Sequence, residues 1–317
     1  MERARFSGSS AEAEPIQSSF VTAGLTSATA RSGRQTPQRI LVVYPPHVEG
    51  AEILARDVTQ HLRRLKVEVD SVALSGDVKS LDIAEQDMIV ALGGDGTMLR
   101  CGRMAAARDV SVLGINLGRL GFLAEVQPND WKGVLARVLV GDYWVEERMM
   151  LRAEHFRGDE LVGSHEILNE AVVSRGALAR PIRLQASIER AEIATYVADG
   201  LIVSTATGST AYALAVGGPI LPPELKNFLM IPIAPHLCVE RAIILAGGAN
   251  LSIVVRTDHQ AILSADGQVE VPLRDGDTIC VRTSSLVTRF ARVQEPTYFY
   301  RNLTECMSHN RSAEKFK

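Results

Sequence analysis

The run Met88-Ile89-Val90-Ala91-Leu92 and the loop Gly93-Gly94-Asp95-Gly96-Thr97 that follows it constrain this chain more than any other stretch. An unbroken apolar run between turn signals reads as a strand buried on both faces, which implies a parallel sheet covered by helices. Residues 98–107 then read as a helix, so the strand enters it through a glycine-rich turn. A strand–turn–helix unit of this kind makes a phosphate site. Glycines let the backbone approach an anion, and the helix start offers unpaired N–H groups and the positive end of its dipole. Asp95 stands in that loop although a carboxylate repels phosphate. It reads as a base that takes a proton, as a ligand for Mg²⁺, or as a simple helix cap.

The alternation continues on both sides. Residues 40–44, 67–72 and 110–115 read as strands, and 50–65 as an amphipathic helix with Ile53, Leu54, Val58, Leu62 and Leu65 on one face. Together they predict an α/β nucleotide-phosphate domain over residues 38–142. Ligands of such sheets bind beyond the carboxyl ends of the strands. Two loops emerge there, 93–97 and Asn116-Leu117-Gly118-Arg119-Leu120-Gly121-Phe122. After Gly141 the segments 150–156, 167–174, 182–188, 201–204, 251–255 and 278–281 are short and β-rich, divided by turns such as Asp266-Gly267 and Asp275-Gly276-Asp277. They predict a second, mostly antiparallel domain over residues 143–294, with one short helix near 209–216. Residues 1–37 lack apolar periodicity and read as a disordered extension, and 295–317 carry too little pattern to place.

Composition narrows the partners. With 34 Lys+Arg against 37 Asp+Glu there is no global field to attract nucleic acid or an anionic membrane. The longest apolar run, 242–255, is interrupted by Gly247, Gly248, Asn250 and Ser252 and is too short to span a bilayer. Cys101, Cys238, Cys280 and Cys306 form no C-x-x-C pair, which fits a reducing, cytoplasmic setting. The absence of acidic residues from Pro15 to Pro37 leaves an organelle-targeting peptide conceivable, and Glu2, Glu12 and Glu14 count against it.

Two further constellations carry chemistry. The stretch from Asp199-Gly200 through Thr207-Gly208-Ser209-Thr210-Ala211-Tyr212 again runs from an apolar strand into a small-residue loop, with six hydroxyl residues within positions 204–212. Hydroxyls and free N–H groups suit phosphates and ribose, and Tyr212 offers a ring for stacking. The same hydroxyls also serve as local caps of the backbone. Asn169-Glu170 interrupts an apolar segment, so either one of them faces inward and needs a partner, or both lie on a solvated edge. The Pro-framed segment Pro232-Ile233-Ala234-Pro235-His236 reads as a rigid loop with a structural histidine, and Asp266-Gly267-Gln268 as a turn. No G-x-x-x-x-G-K-[ST] loop and no G-x-G-x-x-G after the first strand occur, against P-loop kinases and dehydrogenase-type dinucleotide binding.

Taken in order, Gly93-Gly94-Asp95-Gly96-Thr97, Gly118-Arg119-Leu120-Gly121-Phe122-Leu123, Asn169-Glu170, Asp199-Gly200, Thr207 to Tyr212, Gly217-Gly218-Pro219 and Pro232 to His236 resemble the NAD kinases, the ATP-dependent enzymes that make NADP. The resemblance runs from about residue 39 to about residue 301. It implies an N-terminal Rossmann-like α/β domain with a parallel sheet, a C-terminal mostly antiparallel β-sandwich-like domain, and the active site between them. It implies Asp95 as the base for the adenosine ribose 2′-hydroxyl, with Gly93, Gly94, Gly96 and Thr97 as the phosphate loop. Asn169, Glu170, Asp199, Thr210, Ala211, Tyr212 and Ala215 are then NAD contacts, joined by Asp95, Gly96 and the looser matches Arg100, Arg180 and Gln268. ATP or polyphosphate as phosphoryl donor, Mg²⁺ or another divalent metal, and a homodimer or homotetramer follow from the same resemblance. Ala206 and Ala242 depart from the family, which usually has Pro there, and alter stiffness rather than a functional group. A lipid kinase sharing the Gly-Gly-Asp-Gly-Thr loop and an NAD-binding sensor without transfer remain as rival readings.

Overall fold

The computed structural model describes residues 36–75, 83–118, 121–236 and 240–309, with side chains to residue 305. The amino-terminal extension, Arg119, Leu120 and Cys238 lie outside the described residues, as does the side chain of Cys306.

The first half builds a parallel sheet from β1 (Arg39–Tyr44), β2 (Glu68–Ala73), β3 (Met88–Leu92) and β4 (Ser111–Ile115) in the order β2-β1-β3-β4. Helices α1 (Ala51–Arg64) and α3 (Trp131–Leu139) cover one face, where Val58, Leu62, Trp131 and Leu135 pack on Ile40, Val42, Val90 and Leu113. On the other face α2 (Asp95–Ala106) packs Met98, Leu99 and Ala105 on Val43, Ile89 and Val112. All five residues of β3 are buried, as two covered faces require, and each large apolar side chain contributes roughly 1.5–3 kcal/mol.

The second half contains β5 (Trp144–Arg157), β6 (Glu160–Ile167), β7 (Glu170–Arg175), β8 (Ile182–Ile188), β9 (Ala191–Ala198), β10 (Gly200–Thr205), α4 (Tyr212–Ala215), β11 (Phe228–Ile233), β12 (Ile243–Leu245), β13 (Leu251–Arg256), β14 (Ala261–Ala265), β15 (Val269–Leu273) and β16 (Thr278–Arg292), followed by α5 (Tyr298–His309). Six strands form an antiparallel sheet, β12-β11-β10-β7-β14-β15. It packs on the antiparallel portion of the larger sheet through Val173, Leu201, Val203, Phe228 and Leu263 against Leu151, Leu184, Tyr196 and Ile279. This is the predicted antiparallel, sandwich-like half.

One strand joins the halves. β16 pairs antiparallel with β5 and β13, then reaches the first half and pairs parallel with β4 at Arg289–Ser111 and Phe290–Val112. The parallel and antiparallel parts are therefore one ten-stranded sheet. Pro232 and Ile233 belong to β11 rather than to a loop. Pro232 faces Leu201 of β10, whereas β12 pairs only with 228–230, so its missing N–H falls beyond the end of that neighbour. The apolar segment 167–174 is also not one strand: it breaks at Leu168-Asn169 between β6 and β7.

Candidate active site

Asp95 is the first residue of α2 and is half-buried. Its side chain does not cap its own helix. Instead Oδ2 accepts the Phe122 N–H at 3.0 Å and Oδ1 the Leu123 N–H at 3.1 Å. Each carboxylate oxygen keeps a free lone pair. Gly121 permits this approach, because a Cβ there would lie within 2.6 Å of the carboxylate. Around Asp95, Gly94 and Gly96 are exposed with nothing within 4 Å of where a side chain would begin. Gly93 and Thr97 are buried, and Gly93 donates to the Ile115 carbonyl at 2.9 Å. The loop is thus anchored at its edges and open in the middle, as an anion cradle needs. Arg100 lies half-buried one turn along α2.

A second wall comes from the break between β6 and β7. The Asp266 carboxylate accepts the N–H groups of Leu168 (3.0 Å), Asn169 (2.7 Å) and Glu170 (3.1 Å), gathering three consecutive donors that no strand partner takes. Arg103 of α2 stands 3.6 Å from the same carboxylate and donates to Gln268 Oε1 at 3.1 Å. Asp266-Gly267-Gln268 is a turn, as its sequence implies, and it is also the anchor of Asn169-Glu170. Sequence reasoning missed that role. A contact spanning 96 to 98 positions leaves no local signal. Burial raises the pKa of Asp266, opposed by the three N–H donors and Arg103.

The side chains held by this anchor lack partners. Asn169 Oδ1 and Glu170 Oε2 are buried without a hydrogen bond. Burial first, and then the nearby Asp266 charge, pushes the Glu170 carboxyl up to about 8. Neither residue occupies a solvated edge, and a ligand with hydroxyl or amino donors would complete both.

The hydroxyl-rich loop lies against the same turn. Thr205 Oγ1 donates to the Leu168 carbonyl at 2.6 Å and accepts the Gly208 N–H at 3.1 Å. Ser209 Oγ bridges the Ala206 carbonyl (2.7 Å) and the Leu221 N–H (2.9 Å), and Thr210 Oγ1 donates to the Thr207 carbonyl. These hydroxyls stabilise the loop itself. Gly208 is required, because a Cβ would collide with the Asn169 carbonyl. Ala211 is half-buried, Tyr212 is 43% exposed and Ala215 is exposed, so this edge presents an aromatic ring and small residues to solvent.

Asp199 and Arg180 are not brought to this place. Asp199 pairs with Arg175 Nε at 2.9 Å, at the opposite end of β7 from Glu170, roughly 17 Å away at strand rise. Arg180 is exposed in the following loop, its carbonyl accepting from His259. His236 lies at that end too, its N–H on the Val197 carbonyl. Three residues without a motif of their own complete the site region: Glu146 and Arg148 on β5 and Arg292 on β16, an ionic group largely removed from solvent beside an open cleft that Gly121 and Phe122 also line.

The chain is similar to known proteins over most of its length. A family model described as the ATP-NAD kinase N-terminal domain matches residues 37–143, and one described as the ATP-NAD kinase C-terminal domain matches residues 168–293. A protein named NAD kinase from Citrifermentans bemidjiense is 40% identical over 251 residues, 78% of this chain and 87% of that one. Another from Heliobacterium modesticaldum is 44% identical over 230 residues, 72% of this chain and 81% of that one. Among solved structures, an NAD kinase from Archaeoglobus fulgidus in complex with ATP superposes with a TM-score of 0.71 at 28% identity, covering 85% of this chain and 98% of that chain. A yeast NADH kinase complexed with NADH shares the fold, with a TM-score of 0.76 at 24% identity over 88% and 90% of the two chains. The chain belongs to the ATP-NAD kinase family.

Proposed function

We propose that this kinase transfers the γ-phosphoryl group of ATP to the adenosine ribose 2′-hydroxyl of NAD, giving NADP, with Asp95 as the base. The observation that carries the reading is the pair of buried, unpartnered atoms Asn169 Oδ1 and Glu170 Oε2, on a turn whose preceding Leu168 packs with α2. Glu170 suits ribose hydroxyls and Asn169 the edge of a base. Thr210, Ala211, Tyr212, Ala215 and Gln268 supply further NAD contacts in this reading, and Gly93, Gly94, Gly96 and Thr97 serve as the phosphate cradle, with Arg100 further along α2.

The Asp95 carboxylate keeps one lone pair on each oxygen after its two backbone bonds. The 2′-oxygen attacks the γ-phosphorus, its proton passes to Asp95, and the bond to the β-phosphate oxygen breaks with the electron pair leaving on ADP. The backbone of the glycine loop orients the phosphates, and the Phe122 and Leu123 N–H groups hold the base in place. Among the described residues no three His, Cys, Asp or Glu side chains gather to hold a metal. One carboxylate beside an open phosphate cradle fits Mg²⁺ bound chiefly through substrate phosphates. When bound, such an ion neutralises phosphate charge.

Polyphosphate fits the same cradle as an alternative donor. We also assign the chain to the cytoplasm as a homodimer or homotetramer, a reading supported by free Cys101 and Cys280 and the kinship above. Among the described residues no helix is long and apolar enough to cross a membrane. Light scattering on the purified full chain checks the assembly.

A coupled assay for NADP with NAD, ATP and Mg²⁺ tests the reaction. The wild-type protein is expected to turn over, and Asp95→Asn to lose on the order of 10²–10⁴-fold in kcat. Its NAD affinity, read by calorimetry, stays within about threefold. Near-normal kcat in that variant removes Asp95 as the base. NAD binding by wild type without NADP formation points to a sensor or to another phosphoryl donor.

A further inference from the structure

The buried group Arg148–Glu146–Arg292 connects the two walls of the site. On β5, Glu146 and Arg148 point to one face, and Phe290 of β16 stands opposite Glu146 in the register. Glu146 Oε2 accepts Arg148 Nη2 at 3.0 Å, Arg292 Nη2 at 2.7 Å and Arg292 Nε at 2.8 Å. Both guanidiniums flank the Phe290 ring, 6.0 and 5.0 Å from its centroid. Each arginine then reaches outward. Arg292 Nη1 donates to the Leu123 carbonyl at 2.6 Å, and the Leu123 N–H donates to Asp95. Arg148 Nη1 donates to Thr207 Oγ1 at 3.2 Å, and the next residue, Gly208, rests on the Asn169 backbone.

We infer that Glu146, Arg148 and Arg292 are positioning residues that fix the Asp95 carboxylate relative to the Asn169–Glu170 and Thr207–Gly208 wall. The inference rests on the kinase reading above. A continuous run of hydrogen bonds goes from Asp95 through Leu123, Arg292, Glu146 and Arg148 to Thr207. Its three charged members, Glu146, Arg148 and Arg292, are side chains of β5 and β16, and β16 is the strand that joins the parallel and antiparallel parts of the sheet. Two guanidiniums on one carboxylate fix their mutual geometry, because each planar fork offers several donors in set directions. Proton transfer and in-line attack require placement to within about 1 Å, and such an error costs on the order of 10²-fold. None of the three needs to touch substrate for this role.

The test uses the full chain and steady-state kinetics with NAD and ATP varied separately. Wild-type turnover is established first, so loss of the kinase reading is seen before any variant is made. Thr207→Val removes the outer contact and leaves the ionic group whole; Thr207→Ser keeps the hydroxyl. The expected result is a roughly tenfold fall in kcat for Thr207→Val, recovery to within about twofold for Thr207→Ser, and KM for NAD within about threefold in both. Equal kcat for the two variants overturns the relay. Glu146→Gln is expected to lower kcat by about 10- to 100-fold with NAD affinity retained, and to couple non-additively with Thr207→Val in a double-mutant cycle. Additive losses, or a wild-type kcat in Glu146→Gln, overturn it as well. If Glu146→Gln does not fold, the Thr207 pair decides alone.

Discussion

Two glutamates largely removed from solvent, Glu146 and Glu170, stand in the same half of the molecule and live in opposite electrostatic worlds. Glu146 lies between two guanidiniums. Burial would raise its pKa, but Arg148 and Arg292 outweigh burial and hold it at about 2. Glu170 has an unpartnered oxygen, faces the like charge of Asp266, and is pushed up to about 8. The first is finished by the chain itself and the second is not. A buried carboxylate with its partners in place is architecture. One without them is waiting for a group that the sequence does not encode.

The comparison predicts opposite responses to the same chemical change. Glu146→Gln leaves two buried arginines without their anion and is expected to cost about 3 kcal/mol at pH 7, read by denaturant unfolding. Because the folded pKa of Glu146 is depressed, its contribution is present above the ordinary carboxylate range and is lost as pH falls towards 2. The deficit of the variant therefore shrinks on acidification. A deficit independent of pH breaks the electrostatic account.

Glu170→Gln is expected to act the other way and somewhat less strongly. A carboxylate with a raised folded pKa is ionised in the unfolded chain above about pH 4.5 but still protonated in the folded one. Stability is thus lost as pH rises from about 4.5 to about 8, and the amide removes that loss. The variant should be more stable than wild type by roughly 2 kcal/mol at pH 9 and equal to it near pH 4. The same change should weaken NAD binding by about 10-fold, since an NH2 that can only donate takes the place of a carboxyl oxygen that accepts from hydroxyls. A variant that is less stable at pH 9 shows that Glu170 has a partner in the free protein.

Why one glutamate was visible in the sequence and the other was not is a matter of range. Glu170 interrupts an apolar segment beside Asn169, and such a break is legible in a single window. Glu146 stands among Trp144, Val145, Glu147 and Arg148, where charges look like a solvated strand end; only its pairing across 146 positions with Arg292 reveals it. The same distinction runs through the fold. The unit from Met88 to Ala106 was legible because strand, turn and helix are contiguous. Helix α3 was missed although Trp131, Leu135 and Val138 repeat with helical period, because its 9 residues offer too few repeats for the period to stand out. Edge strands β6 and β9 were missed since their exposed residues break the alternation that marks a half-buried strand. Nothing local could have foretold that β16 leaves the antiparallel half to pair with β4.

A third carboxylate, Asp199, lies between these extremes and gives the smallest expected effect on stability. It is about one-third exposed and paired with a similarly exposed Arg175. Solvent screens such a pair, so Asp199→Ala is expected to lower stability by well under 1 kcal/mol, with a melting temperature within about 2 °C of wild type. The NAD contact that the family resemblance implies for Asp199 then becomes separable from architecture. If Asp199 touches substrate, KM for NAD should rise several-fold while the melting temperature hardly moves, unlike Glu146→Gln, where stability and kcat fall together. If neither KM nor kcat changes, the carboxylate at that end of β7 serves only its arginine, and the dinucleotide is held by the Glu170 end alone.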